Sequence, residues 1–158
     1  YQDITIPFQM SSVEFFTMVK EHLNENGVMV VNMNMRGNNE GNINQYLSDT
    51  IASVFDHIVT VDVDGSTNRE LYASSNADMV KTLENNANET GHSDLRDMML
   101  HVADTSSVYE AGDYIMTDDK APVELLGMQV IDQLIQGEVA YYKDIFEKDG
   151  INGLLESL

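Results

Sequence analysis

The feature that most constrains the fold is a short apolar run between two segments with helical spacing. The segment "GVMVVNMNM" is continuously apolar from Val28 to Val31, a pattern typical of a strand covered on both faces. Helical spacing precedes it in "MSSVEFFTMVKEHLNENG" and follows it in "NINQYLSDTIASVFDH". Because parallel strands need helical crossovers, this order predicts a parallel strand with crossover helices, the repeating unit of a doubly wound α/β fold.

The two flanking helices have recognisable ends and apolar faces. Ser11 is predicted to be the N-cap of the first helix, with Glu14 completing a capping box and Gly27 ending the segment. Each helix places its apolar residues three or four positions apart, which predicts one buried face. These residues are Val13, Phe16, Val19 and Leu23 in the first helix, and Ile43, Leu47, Ile51 and Val54 in the second.

The pattern then changes to strict alternation. In "HIVTVDVDGSTNRELYASS", Val59, Val61 and Val63 share one face, and the chain returns through Leu71 and Ala73 after a turn that contains glycine. Alternating apolar residues on both sides of such a turn predict an antiparallel β-hairpin. We place this hairpin at the edge of the sheet.

The rest of the chain is predicted to be helical. Four segments show apolar residues three and four apart, and the polar stretch "ENNANETGHSD" is predicted to be a flexible connector. With 158 residues, of which 42% are hydrophobic, the chain can fill one core, so residues 1–158 are predicted to form a single domain. The four helical segments are "ADMVKTLENNA", "SDLRDMMLHVA", "APVELLGMQVIDQLI" and "GEVAYYKDIFEK".

Composition excludes several classes of function. The chain has no cysteine, which rules out thiol chemistry and fits a cytoplasmic location. Its 8 basic and 27 acidic residues give a net charge of −19, so nucleic acid is not an expected partner, whereas a cationic small molecule is. No apolar run approaches the roughly 20 residues that span a bilayer, although a longer parent protein could carry such segments upstream.

Three segments together resemble the C-terminal half of the spermidine synthase-like family: "YQDITIPFQMSSVEFF", "LNENGVMVVNM" and "TDDKAPVELL". The resemblance covers nearly the whole chain. It implies an α/β chain that forms part of a Rossmann-like methyltransferase fold, with a parallel strand, crossover helices, an antiparallel edge hairpin and a helical remainder.

The resemblance also implies an activity, namely aminopropyl transfer from decarboxylated S-adenosylmethionine to a polyamine. No Gly-rich strand-to-helix turn for the nucleoside occurs in the chain, since the glycines of "MRGNNEGN" have the wrong spacing. We therefore expect an S-adenosylmethionine-type nucleoside to bind the parent protein and none to bind this chain alone, which should be inactive. If the chain is only the C-terminal half of such a domain, the inner edge of its part of the sheet is left unpaired. This predicts a homo-oligomer.

Asp3 is the candidate catalytic residue. In the family, the catalytic loop reads Asp-Ser-Ser/Thr-Asp-Pro, and its second Asp accepts a proton from the attacking amine. An ungapped alignment on Phe15 and Phe16 places Gln2 at that Asp and Asp3 at the Pro, whereas a shift of one residue gives Asp3 the role. Two alternatives stay open: Asp3 is a solvated loop residue, or the protein is a catalytically silent binding or oligomerisation module.

Asp118 and Asp119 are the candidate substrate-binding residues. A cationic amine about 4 Å from a carboxylate gains on the order of 4 kcal/mol at intermediate dielectric, before desolvation is subtracted. The alternative is a structural role, with Asp119 as the N-cap of a helix whose first turn contains Pro122.

A calcium loop is a weaker interpretation of "DVDGSTNRE". Asp62, Asp64 and Glu70 could donate oxygens, but the spacing of a 12-residue loop and its flanking helices are missing, which favours a hairpin turn. The histidines show no spacing typical of metal ligands, so no metal site is expected. They are His22, His57, His92 and His101.

Overall fold

The computed structural model describes residues 7–34 and 40–157. The chain divides into two compact units, and each is considered by itself. One unit comprises residues 7–122, and the other contains the long C-terminal helix. The prediction that residues 1–158 form a single domain stays a prediction.

The larger unit is a mixed α/β structure. A 3₁₀ turn at Phe8–Met10 precedes its first helix, and its four strands form one sheet in the order β1-β3-β2-β4. The elements in chain order are α1 (Val13–His22), β1 (Val28–Met33), α2 (Ile43–Ala52), β2 (His57–Asp62), β3 (Arg69–Ser74), α3 (Met79–Glu89), α4 (Ser93–Thr105) and β4 (Ser107–Val108). The other unit contains α5 (Val123–Glu156), which non-helical backbone interrupts at Gly150.

All strand pairs in the sheet are antiparallel. The expected parallel ladder at Val28 is therefore not present among the described residues, because β1 pairs with the returning strand β3, whose Tyr72 lies opposite both Val30 and Val59. Since β1 and β2 are both antiparallel to β3, they point in the same direction and α2 connects them as a crossover. The arrangement is consistent with a partial Rossmann-like fold.

Helices cover both faces of this sheet. On one face, Ser48 of α2 donates a hydrogen bond to the Met33 sulfur at 3.3 Å, and Leu71 is fully buried. On the other face, Val30 and Tyr72 line a cavity of about 310 Å³ together with Leu83 of α3 and residues of α4. The prediction that β1 is covered on both faces was wrong, because Val28 and Val30 remain 40% and 52% exposed, whereas Met33 on the opposite face is buried.

The antiparallel hairpin is confirmed, but its predicted place at the edge was wrong, because β3 and β2 lie between β1 and β4 in the described sheet. Strands β2 and β3 pair directly from His57 with Ser74 to Asp62 with Arg69. In the turn between them, Gly65 has φ of 68°, a conformation that glycine adopts without steric cost.

Two local predictions were wrong. The N-cap of α1 is Ser12, whose hydroxyl accepts a hydrogen bond from the Phe15 amide at 3.2 Å, while the Ser11 hydroxyl donates to the Phe8 carbonyl. The predicted flexible connector is largely helical, because α3 continues to Glu89 and α4 begins at Ser93. In both places several residues suit a helix end, so sequence preference alone does not choose among them.

Within the described part of the chain, no helix combines the length and apolar character needed to cross a bilayer. This holds for α5 as well, although many of its apolar residues are exposed.

The buried and edge strands should respond differently to truncation. We expect Leu71→Ala to lower the free energy of unfolding by about 2–5 kcal/mol, since it removes a fully buried side chain from β3. Val30→Ala, on the edge strand and 52% exposed, should cost less than about 1 kcal/mol. Urea unfolding monitored by circular dichroism measures both, and equal losses would contradict the assigned core.

Candidate functional site

One buried carboxylate fixes the segment after β4 to helix α2. Asp49 has no solvent exposure, and its Oδ1 accepts hydrogen bonds from the Tyr109 hydroxyl at 2.7 Å and the Gly112 amide at 2.9 Å. Its Oδ2 accepts from the Tyr114 amide at 3.1 Å. Because both oxygens have donors, the cost of burying this carboxyl group is offset, and the loop from residue 109 to 114 is held in one position.

Tyr109 depends on this carboxylate for its environment. Burial, followed by the hydrogen bond to Asp49, raises the pKa of the Tyr109 hydroxyl well above its usual value near 10. The phenol therefore stays neutral and acts as a donor. It is a structural group that anchors the loop.

Gly112 allows the close approach. A Cβ at this position would lie 2.6 Å from Asp49 Oδ2 and 3.1 Å from Oδ1. The absence of a side chain is therefore required for the amide of Gly112 to reach the carboxylate.

The segment after residue 114 lies beside the N-terminus of α1. Thr50, which follows Asp49 on α2, accepts a hydrogen bond from the Met116 amide at 3.0 Å through its hydroxyl. The Met116 carbonyl then accepts from the Val13 amide at 2.9 Å. Two consecutive residues of α2 thus position a chain segment that ends beside the start of α1.

Asp118 lies at this helix end. Its Oδ1 accepts a hydrogen bond of 2.5 Å from the Ser12 hydroxyl, and its amide donates to Glu14 Oε2 at 3.0 Å. A helix N-terminus favours negative charge, which stabilises Asp118 and Glu14 together in this position. The side chain of Asp118 remains exposed to solvent.

Asp119 lies next to it in a tight turn. The amides and carbonyls of Thr117 and Lys120 bond to each other at 2.9 and 3.1 Å, which leaves Asp119 exposed at the turn. The alternative role of Asp119 as a helix N-cap was wrong, because α5 begins only at Val123. These contacts do not test whether Asp118 or Asp119 binds substrate, so that role stays a prediction.

Asp3 and Gln2 lie outside the described residues. The described chain begins at Pro7, and Asp118 and Glu14 lie at the helix that follows. The structure therefore brings one predicted aspartate to the N-terminal end of α1 and does not test the catalytic candidate.

The residues of the possible calcium loop do not converge. Asp62 forms an ion pair with Arg69 at 2.6 Å, whereas Glu70, which projects from the other face of the sheet, accepts a hydrogen bond from the Tyr72 hydroxyl. His101 lies 3.5 Å from Asp64. In the described ranges, no group of three or more acidic or histidine side chains is arranged to hold a metal ion.

At the start of α2, two backbone amides are bonded by side chains. The N-cap residue Asn42 accepts a hydrogen bond from the Gln45 amide at 2.9 Å, and the Gln45 side chain accepts from the Gly41 amide at 2.7 Å. These side chains occupy the amide groups that a Gly-rich turn would offer to a ligand. The expectation that an S-adenosylmethionine-type nucleoside binds the parent protein and not this chain alone stays a prediction.

Sequence reasoning missed Asp49, Tyr109 and Gly112. Asp49 lies about 200° around α2 from the core residues Leu47 and Ile51, so the helical spacing placed it on the polar face and gave no signal of its burial. Its partners are about 60 residues away in the chain, so spacing could not identify them.

The comparison with curated proteins identifies a close relative. The chain is 50% identical over 175 aligned positions to a protein of Bifidobacterium longum (strain NCC 2705) named "Probable polyamine aminopropyl transferase". The alignment covers 100% of this chain but 39% of the relative, so the chain spans about two fifths of that protein's length. No protein-family model matches the chain.

A methyl group at Gly112 should disturb the carboxylate. We expect Gly112→Ala to lower the free energy of unfolding by about 1–3 kcal/mol, because the new Cβ would overlap Asp49 Oδ2. Gly91→Ala is the matched control, since no atom lies within 4 Å of its Cβ position. Chemical denaturation compares the two, and similar stabilities would contradict the close approach.

The raised pKa of Tyr109 predicts a loss of stability at alkaline pH. The contribution of Tyr109 to the free energy of unfolding should be fully present below the pKa of an unfolded tyrosine, near 10. It should decrease as pH rises above that pKa, because the unfolded chain loses the tyrosine proton first. Tyr109→Phe should therefore flatten the decrease in unfolding free energy above pH 10. Chemical denaturation between pH 8 and 12 measures the slope, and an unchanged slope in Tyr109→Phe would refute the assignment.

Proposed function

We propose, from the confirmed resemblance of this chain to the spermidine synthase-like family, that it forms the C-terminal α/β part of a polyamine aminopropyl transferase. The observation that carries the proposal is the 50% identity over the full chain to a protein with that name. The partial Rossmann-like sheet order supports it. A surface with a net charge of −19 suits a cationic substrate and disfavours nucleic acid, and a cytoplasmic location completes the proposal.

The described residues support a role in attracting the amine. Asp118 and Glu14 are held together at the N-terminus of α1, and Asp119 is exposed in the adjacent turn. Although the helix end stabilises these carboxylates, their exposed oxygens keep a negative potential that favours a polyamine. We assign them to substrate positioning.

The proposed base is Asp3. An amine attacks only in its neutral form, so a carboxylate within hydrogen-bond reach must orient it and accept its proton as the new C–N bond forms. In the sequence, Asp3 precedes the 3₁₀ turn Phe8–Met10 and helix α1. Residues outside this chain would supply the nucleoside site, so we expect this chain alone to give no turnover.

The second candidate is a catalytically silent module. It is favoured by Gln2 at the ungapped position of the catalytic aspartate, since an amide cannot accept the proton. Such a protein would bind polyamine or assemble without forming a product.

An activity assay separates the two candidates. The Bifidobacterium longum relative should convert putrescine and decarboxylated S-adenosylmethionine to an aminopropylated product, detected by mass spectrometry. The substitution equivalent to Asp3→Asn should lower the rate by about 10²–10⁴-fold, the usual contribution of a general base. An unchanged rate would exclude Asp3 as the base, and no product from any amine would favour the silent module.

Polyamine binding can be tested on this chain by itself. We expect the double variant Asp118→Asn/Asp119→Asn to weaken spermidine binding about tenfold, measured by isothermal titration calorimetry at low salt. The control Asp94→Asn/Asp97→Asn removes the same charge from α4, at exposed positions away from the α1 N-terminus. Equal weakening by both variants would show that the overall charge attracts the polyamine, without a local site.

A further inference from the structure

Thr50 of helix α2 has a buried hydroxyl group whose hydrogen bonds are fixed in direction. The side chain has no solvent exposure, and its Oγ1 donates to the Tyr46 carbonyl at 2.6 Å. Because a hydroxyl carries one proton, the same oxygen meets the Met116 amide at 3.0 Å only as an acceptor. Met116 is fully buried as well, so its amide depends on this oxygen for a partner.

Met116 links this hydroxyl to the first turn of α1. Its amide bonds to α2, and its carbonyl accepts from the Val13 amide at 2.9 Å. Val13 is the first residue of α1, and the amides of a first turn have no partner within their own helix. The two bonds of Met116 therefore fix where the next residues of the segment lie relative to α1.

Ser12 then orients the side chain of Asp118. The Ser12 Oγ accepts from the Phe15 amide at 3.2 Å, which caps α1, and it donates its single proton to Asp118 Oδ1 at 2.5 Å. Asp118 thus bonds the capping hydroxyl and is not itself the cap of α1. Within the described part of the chain, Oδ2 of Asp118 has no bonding partner.

The remaining oxygen suits an ammonium group. Asp118 and Glu14 lie at the same helix end, where the Asp118 amide donates to Glu14 Oε2 at 3.0 Å. Neither carboxylate forms an ion pair with a lysine or arginine among the described residues. An ammonium group bonded to Asp118 Oδ2 would offset the repulsion between the two carboxylates, in a direction that Ser12 determines.

We infer that Thr50 is a positioning residue for amine binding at Asp118. Its side chain is buried and does not reach the amine, so it acts through the Met116 bond and the segment that follows. This role rests on the proposed function, because it concerns the same site. It adds that polyamine affinity depends on one buried hydroxyl group of α2.

Substitutions at Thr50 test this role in the full chain. Thr50→Val keeps the shape of the side chain and removes the acceptor of the Met116 amide. It should weaken spermidine binding about fivefold, measured by isothermal titration calorimetry at low salt. Thr50→Ser keeps the hydroxyl and should bind within about twofold of the wild type. Neither substitution changes the net charge, and an unchanged affinity in Thr50→Val would overturn the inference.

A double-mutant cycle tests whether Thr50 acts through Asp118. In the Asp118→Asn background the carboxylate is already lost, so Thr50→Val should weaken binding less than about twofold further. An undiminished effect of Thr50→Val in that background would place its action elsewhere and refute the role. If Asp118→Asn itself leaves the affinity unchanged, the proposed amine site fails as well, whereas a loss in Asp118→Asn without one in Thr50→Val removes only the role of Thr50.

Ser74→Ala separates positioning from general stability. Ser74 is fully buried at the end of β3, where its Oγ donates to the Gly27 carbonyl at 2.8 Å and accepts from the Asn76 amide at 3.0 Å. Removing it should lower the melting temperature as Thr50→Val does and leave spermidine affinity within about twofold. Equal weakening of binding by both variants would show an effect of stability alone, which contradicts positioning.

Amide hydrogen exchange, measured by NMR, follows the segment without a ligand. The amides of Val13 and Asp118 bond between the segment and α1, so Thr50→Val should speed their exchange about tenfold. Ser74→Ala should leave the exchange of these two amides unchanged relative to the rest of the chain. Unchanged protection in Thr50→Val would show that the Met116 bond does not hold the segment, and the inference would then fail whatever the affinity.

Discussion

The buried carboxylate of Asp49 is the contact on which the larger unit depends. An ionisable side chain with no solvent exposure is costly unless each oxygen finds a donor, and here a phenol and two amides supply them. Because those donors come from residues 109–114, satisfying the carboxylate also determines the path of the chain after β4. The neighbouring Thr50 extends that path to Met116.

The elements that could be predicted are those with local causes. The apolar run of β1, the spaced apolar residues of α2 and the alternating hairpin each follow from periods of 2 or 3.6 residues, and the structure shows all three. The pairing of β1 could not be predicted in the same way. Its partner is β3, about 40 residues later, and this pairing makes antiparallel a ladder that the local order suggested was parallel.

In the candidate site, too, the residues could be identified from the sequence but their long-range contacts could not. Asp118 and Asp119 were identifiable as adjacent carboxylates, and the alternative interpretation of Asp119 was an N-cap of the following helix. The structure places Asp118 at the start of a different helix, more than 100 residues earlier, through Ser12 and Glu14. That contact depends on the hydrogen bonds of Asp49 and Thr50, and no sequence motif predicts these bonds.

The unit containing residues 7–122 and helix α5 expose apolar surface for different physical reasons. In the sheet formed by the described residues, strand β1 has a neighbouring strand on one side only, so an extended segment could pair with its other side. Helix α5 satisfies its backbone internally and offers only side chains, so its partner must match their spacing and charge.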